Sequence, residues 1–179
     1  MVSPESREVI RVPQGVSVTI TGSTIKVKGK GGELARDFSS PMIQLKKEGA
    51  DVIVHADLPR KKTRALVGTW AAHIRNMVKG VQEPYEYKLK VCFSHFPIKI
   101  KVQGDRIIIE NFLGERTPRK ARVLGAATKV KATGEEVIVT GPDLEAVSQT
   151  AANMEQACVI RNFDARVFQD GIYIVQKGA

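Results

Sequence analysis

A single pattern occurs twice in this chain, and no other feature limits its fold so tightly. Moved by 82 positions without a gap, Val16, Val18 and Ile20 fall on Ile98, Ile100 and Val102. Gly22, Ile25 and Val27 fall on Gly104, Ile107 and Ile109, and Gly32-Glu33 falls on Gly114-Glu115. The register resumes at a shift of 85, where Gly49, Val52 and Val54 meet Gly134, Val137 and Val139. Self-similarity of this kind marks one supersecondary unit built twice, and two copies are too few for a solenoid. The reading is two tandem sibling domains, residues 1–82 and 83–179. Copies of this size sit near the lower end of comfortable single-core size, with little room for a deep active site.

Each copy opens with a hairpin. Val16, Val18 and Ile20 alternate with Ser17 and Thr19, Gly22-Ser23 turns the chain, and Ile25 and Val27 alternate with Lys26 and Lys28. Period-two alternation about a Gly-led pair is a hairpin signal, and Gly104-Asp105 repeats it. One apolar sheet face must be covered. The cover is a helix in each copy. The first follows Asp57-Leu-Pro59, a cap and an early proline, with a stripe of Leu66, Trp70, Ile74, Met77 and Val81. The second follows Pro142-Asp143, with Leu144, Val147, Ala151, Met154 and Cys158. These stripes are core faces. The fold class is α+β: two homologous domains, each an antiparallel sheet covered on one face by a helix. Most of the closing segment, 161–179, has no twin, and duplicated frames diverge where function is added.

Charge points to an anionic partner. The net formal charge is +9, and its distribution is uneven. Residues 84–131 carry 11 Lys/Arg against 4 Asp/Glu, whereas 132–160 hold five acids and no base. Phosphate neutralisation with counterion release suits such a chain; an inert basic surface is the plainer alternative. Arg60, Lys61, Lys62 and Arg64 crowd the first turns of the first helix, where the helix dipole repels cations. A phosphate there would reverse the sign; a solvated charged turn is the other reading. Arg116, Arg119, Lys120 and Arg122 lie in NFLGERTPRKARV, punctuated by Gly114 and Pro118, and arginine forks suit phosphate. Because the helix that follows is acidic, nucleic acid should approach this module from its loop or sheet side. That acidic helix also suits an adaptor that docks a basic protein. Gly29-Lys30-Gly31-Gly32 follows a strand and lacks the phosphate-loop spacing, so it reads as a turn with a solvated lysine.

Other classes find no support. Cys92 and His95 make half a metal site without a second pair, and His55 and His73 are isolated. Neither GxSxG nor HExxH occurs, so neither catalysis nor a metal or cofactor is expected. The start, MVSPESREV, lacks a signal-peptide core and no run reaches membrane-spanning length. A soluble intracellular chain with reduced thiols is the expectation. Without the aromatic pattern that stacks single strands, folded double-helical RNA is the favoured ligand. Tyr85, Tyr87 and Tyr173 read as packing residues.

The stretches HIRNMVKGV (73–81), HFPI (95–98), NFLGE (111–115) and RVFQDGIYIVQK (166–177) resemble the universal large-subunit ribosomal protein numbered six in bacteria and nine in eukaryotes. They are closer to its archaeal and eukaryotic branch. Phe163 stands where the resemblance leads one to expect a basic residue. The resemblance implies two tandem α+β domains and a cytoplasmic, non-enzymatic constituent of the large ribosomal subunit. It implies binding to large-subunit rRNA near the sarcin–ricin loop, by the base of the factor-binding stalk. Neighbouring ribosomal proteins there, and translational GTPases docking nearby, would be the other partners; a membrane or small-molecule substrate would not. Carried onto this chain, Arg166, Lys177 and Arg161 would hold RNA.

Overall fold

The computed structural model describes residues 5–49, 51–57, 59–164 and 166–178. The chain divides into two compact units, Met1–Pro84 and Tyr85–Ala179.

The first unit runs β1 (Glu5–Arg11), β2 (Ser17–Thr21), β3 (Thr24–Gly29), β4 (Gly32–Asp37), β5 (Gln44–Glu48), β6 (Asp51–Asp57) and α1 (Lys61–Gln82). Its strands form two antiparallel sheets, ordered β1-β6-β5 and β2-β3-β4. Helix α1 packs against β1 and β6 of one sheet and β3 and β4 of the other. The sequence led us to expect one sheet per helix; the strands instead divide between two, with one helix serving both. The hairpin turn comes where expected: Thr21 faces Thr24, and Gly22 takes a φ of 63°, which a side chain resists. The glycine turn between β3 and β4 holds an exposed Lys30 and presses on the end of α1. Gly31 N–H donates to the Val81 carbonyl at 2.7 Å, and a Cβ on Gly29 would lie 2.8 Å from that oxygen.

Two details of α1 differ from expectation. Asp57 does not cap it, because pairing with Glu5 carries β6 through that residue. Arg60 takes the cap position in an extended conformation with no side-chain bond. The buried stripe is Val67, Ala71, Ile74, Val78 and Val81, with Trp70 against Phe38 at 5.3 Å. Leu66, one residue out of phase, stays 39% exposed.

The second unit repeats the plan with β7 (Tyr85–Cys92), β8 (Lys99–Gln103), β9 (Arg106–Glu110), β10 (Arg119–Arg122), β11 (Lys129–Thr133), β12 (Glu136–Gly141), α2 (Leu144–Ala157) and β13 (Gly171–Gln176). Its sheets are β10-β9-β8 and β11-β12-β7-β13. Asp143 caps α2, accepting Glu145 N–H at 3.0 Å. Val147, Ala151, Met154 and Cys158 join Leu89, Ile107, Ile109 and Ile172 in the core, with Leu144 at its margin. The unmatched tail supplies β13, which lies antiparallel along β7. In the first unit β1, the strand corresponding to β7, is the end strand of its sheet.

Candidate nucleic-acid interface

Strand geometry sorts the basic run 116–122. Successive side chains of a strand point to opposite faces, and residues directly across a ladder share a face. Ala121 pairs with the fully buried Ile107, and Arg119 pairs with the fully buried Ile109, so both face inward. Lys120 pairs with Ile108, which faces Lys101; Arg122 pairs with Arg106, which faces Gln103. Lys99 and Glu110 complete this outer face. It holds five exposed cations (Lys99, Lys101, Arg106, Lys120 and Arg122) around a single carboxylate, Glu110, which Lys101 meets at 2.9 Å. Strands lie about 4.8 Å apart and alternate residues about 7 Å apart, so the cations form a grid.

Arg119 does something else. Its guanidinium clasps Glu115 through two bonds, of 2.6 and 2.9 Å. The same group donates to the Ala157 and Val159 carbonyls at 2.9 Å each, at and just past the C-terminus of α2. It also lies 4.2 Å from the centre of the Phe112 ring. Helix C-termini attract cations, and α2 has none in its own last turn. Arg119 therefore fastens β10 to the helix end. The hydrogen bonds from Arg119 hold the Glu115 carboxyl below its ordinary range, and those bonds hold the Arg119 proton more firmly. Of the four cations named in the run, Arg119 alone, among the described residues, bonds within the unit through Nε, Nη1 and Nη2. Cys158, close by, is buried, which pushes its thiol up to about 11.

The remaining named cations are distributed as follows. Arg116 is exposed in the loop before β10, and Lys177 is exposed just after β13. Arg161 and Arg166 are exposed on the segment between α2 and β13. The Arg166 side chain is 90% exposed, and Asp164 steadies it: Oδ1 accepts the Arg166 N–H at 2.9 Å and Nε at 3.2 Å. That backbone bond first, then the guanidinium, lowers the Asp164 pKa. Arg60, Lys61, Lys62 and Arg64 are all exposed at the start of α1, whose first turn holds no acid. They belong to the first unit, so the structure does not gather all the named cations on one element.

Three cations of the sheet face, Lys99, Lys101 and Arg106, were missed in the sequence. The signal was there: KIKVQ and RIIIE alternate with period two, which puts their cations opposite the buried isoleucines. A second open face, on the sheet β11-β12-β7-β13, carries Lys88, Lys90, Lys129 and Lys131, tempered by Glu86 and Glu136. Of the three tyrosines read as packing residues, Tyr85 and Tyr87 are buried. Tyr173 is 43% exposed, its hydroxyl donating to the Gln169 carbonyl at 3.2 Å. Among the described residues no group of three or more His, Cys, Asp or Glu is placed to hold a metal, and no helix is long and apolar enough to cross a membrane.

Comparison with known proteins places one family match in each unit. The family model described as ribosomal protein L6 matches residues 12–84 and 96–171. The chain is 51% identical over 178 residues to the large ribosomal subunit protein uL6 of Methanocella arvoryzae, covering 99% of both chains. It is 49% identical to the protein of that name in Methanococcus vannielii over 96% of this chain and 93% of that one. The Methanobrevibacter smithii protein is 46% identical over 99% of both. Matched in both of its units and nearly end to end by these archaeal proteins, the chain belongs to the ribosomal protein L6 family.

Proposed function

We propose that this chain is a structural, non-enzymatic constituent of the large ribosomal subunit. It binds large-subunit rRNA near the sarcin–ricin loop and the base of the factor-binding stalk. There it adjoins neighbouring ribosomal proteins, and translational GTPases dock close by. The family supports the first statement; the more exact location rests on the resemblance of the motifs. The observation that carries RNA binding is the outer face of β8-β9-β10, five cations about one carboxylate on a three-stranded sheet. Such a face neutralises phosphates without reading bases, and the exposed tail cations Arg161, Arg166 and Lys177 extend the contact. Arg116 and the α1 cluster Arg60, Lys61, Lys62 and Arg64 are further phosphate contacts in this reading.

Sedimentation of cell extract after a high-salt wash tests the assignment. The chain should travel with large subunits and be released by nuclease. Recovery in the ribosome-free fraction alone would overturn it. Direct binding to an rRNA fragment containing the sarcin–ricin region tests the location, with an unrelated structured RNA of equal length as the reference. Equal affinity for the two would remove the location and leave only general RNA binding.

A further inference from the structure

We propose that Phe163 is a stacking platform for an unpaired nucleobase, a site that rests on the RNA-binding reading above and adds a base contact to it. The segment between α2 and β13 has no counterpart in the first unit, and it displays apolar surface among cations. Phe163 is 54% exposed and Val167 is 71% exposed, between and beside the exposed Arg161 and Arg166. The only ring against Phe163 among the described residues is Phe168, with centroids 4.9 Å apart and planes inclined at 55°. That tilted contact orients the ring without covering it. Phe163 and Val167 together leave an apolar pair open among charged residues, and a base stacked on the ring would bury it.

The described backbone on either side of the ring is turned and hydrogen-bonded. Asn162, immediately before it, takes a left-handed φ of 65°. Immediately after it, the Asp164 carbonyl accepts N–H bonds from Val167 at 3.0 Å and Phe168 at 2.9 Å, while its carboxylate grips Arg166. The segment is tied further on to the loop after β7, where Asp170 Oδ1 accepts the Ser94 N–H at 3.2 Å. Such bonds reduce the conformational freedom the segment has to lose when its ligand arrives.

Charge decides which partner fits. Arg161 and Arg166 lie two residues before and three residues after Phe163 along the chain, both exposed. With Asp164 bonded to the Arg166 guanidinium, the surround stays cationic overall, as suits a base with phosphates beside it. An apolar protein surface would have to desolvate both arginines. Stacking on an aromatic tolerates any base, so this contact adds affinity without a hydrogen-bond code.

The test uses the full chain and the rRNA fragment containing the sarcin–ricin region, with Phe163→Leu, Phe163→Trp and Phe163→Ala. Affinity, its salt slope, thermal melting and the chemical reactivity of unpaired bases are all read. Phe163→Leu and Phe163→Ala should weaken binding by roughly 5- to 150-fold, the loss of one stacked base. The salt slope and melting temperature should hold, and one protected base should become reactive. Phe163→Trp should retain both affinity and protection. If the wild-type chain does not bind the fragment, the RNA-binding reading falls, and this site with it. If it binds and Phe163→Leu binds equally well, only the stacking site is overturned. A melting shift in all three variants that tracks the loss of affinity would likewise overturn it, as would unchanged affinity with loss of a neighbouring protein from reconstituted subunits.

Discussion

The sheet β2-β3-β4 of the first unit and the sheet β8-β9-β10 of the second are one frame with different outer surfaces. Inward positions match across the duplication: Ile25 and Val27 correspond to Ile107 and Ile109, all fully buried. Outward positions do not. In the first unit the outer face pairs Ser17 with Lys28 and Glu33, Thr19 with Lys26 and Ala35, and Thr21 with Thr24 and Asp37. Two lysines there meet two carboxylates, against five cations and one carboxylate in the second. The second unit also carries β13 along β7, and the loop before β13 brings Arg161, Phe163 and Arg166. Packing constrains the inner half of each strand and leaves the outer half free, so a duplicated frame can hold its core and acquire a binding face on one copy.

The comparison can be broken most forcefully by reversing charge. Lys101→Glu, Arg106→Glu and Arg122→Glu together should lower rRNA affinity by about two to three orders of magnitude near 0.1 M salt. Lys26→Glu with Lys28→Glu in the first unit should change it by less than about threefold if that face makes no phosphate contact. Equal losses, measured by filter binding or fluorescence anisotropy, would mean that the difference between the faces has no functional weight.

Next in size is a contrast between neighbours on β10. Arg119→Ala should destabilise the chain by about 2–3 kcal/mol in urea denaturation, since it frees a carboxylate and two helix-end carbonyls. Lys120→Ala, pointing outward, should stay within about 0.5 kcal/mol while weakening RNA binding. The tail gives smaller effects. Arg166→Ala and Lys177→Ala should each weaken rRNA binding roughly five- to tenfold, and Lys26→Ala and Lys28→Ala less than about twofold. Equal effects would remove the tail from the interface.

The mildest prediction concerns the cysteines. Cys158 is buried with its thiol pushed up to about 11, so at pH 8 an alkylating reagent should label the partly exposed Cys92 first. A raised thiol pKa means the folded state holds the proton longer than the unfolded one. Stability from this group is therefore complete below the ordinary thiol range and declines as pH rises towards about 11. A melting temperature that rises over that window would contradict the burial of Cys158.

What the sequence disclosed was local or repeated. Both hairpin turns came from their glycines, the start of α2 came from Asp143, and the segment 161–179, which lacks a twin, supplies the added strand β13. What it hid depended on partners far along the chain. The division of each unit into two sheets turns on which strands pair, and no residue of β4 or β5 announces that they do not pair with each other. Arg119 looked like its neighbours because four basic residues in a short run carry no mark of which face inward. Strand phase, once anchored on Ile107 and Ile109, separates them. Lys99, Lys101 and Arg106 escaped notice because they are spread over two strands and meet only when the ladder closes. Leu66 was a simple error of phase, a leucine beside the true stripe.

The central claim is that one of two matching sheet faces meets the RNA backbone, and the slope of log affinity against log salt tests it most directly. Binding to the rRNA fragment should be measured across salt for the wild-type chain, for the second-unit variant Lys101→Glu/Arg106→Glu/Arg122→Glu, and for the first-unit variant Lys26→Glu/Lys28→Glu. The slope should fall by about 0.7–0.9 for each contact removed in the second unit and stay unchanged in the first. Identical slopes for all three chains would contradict the account.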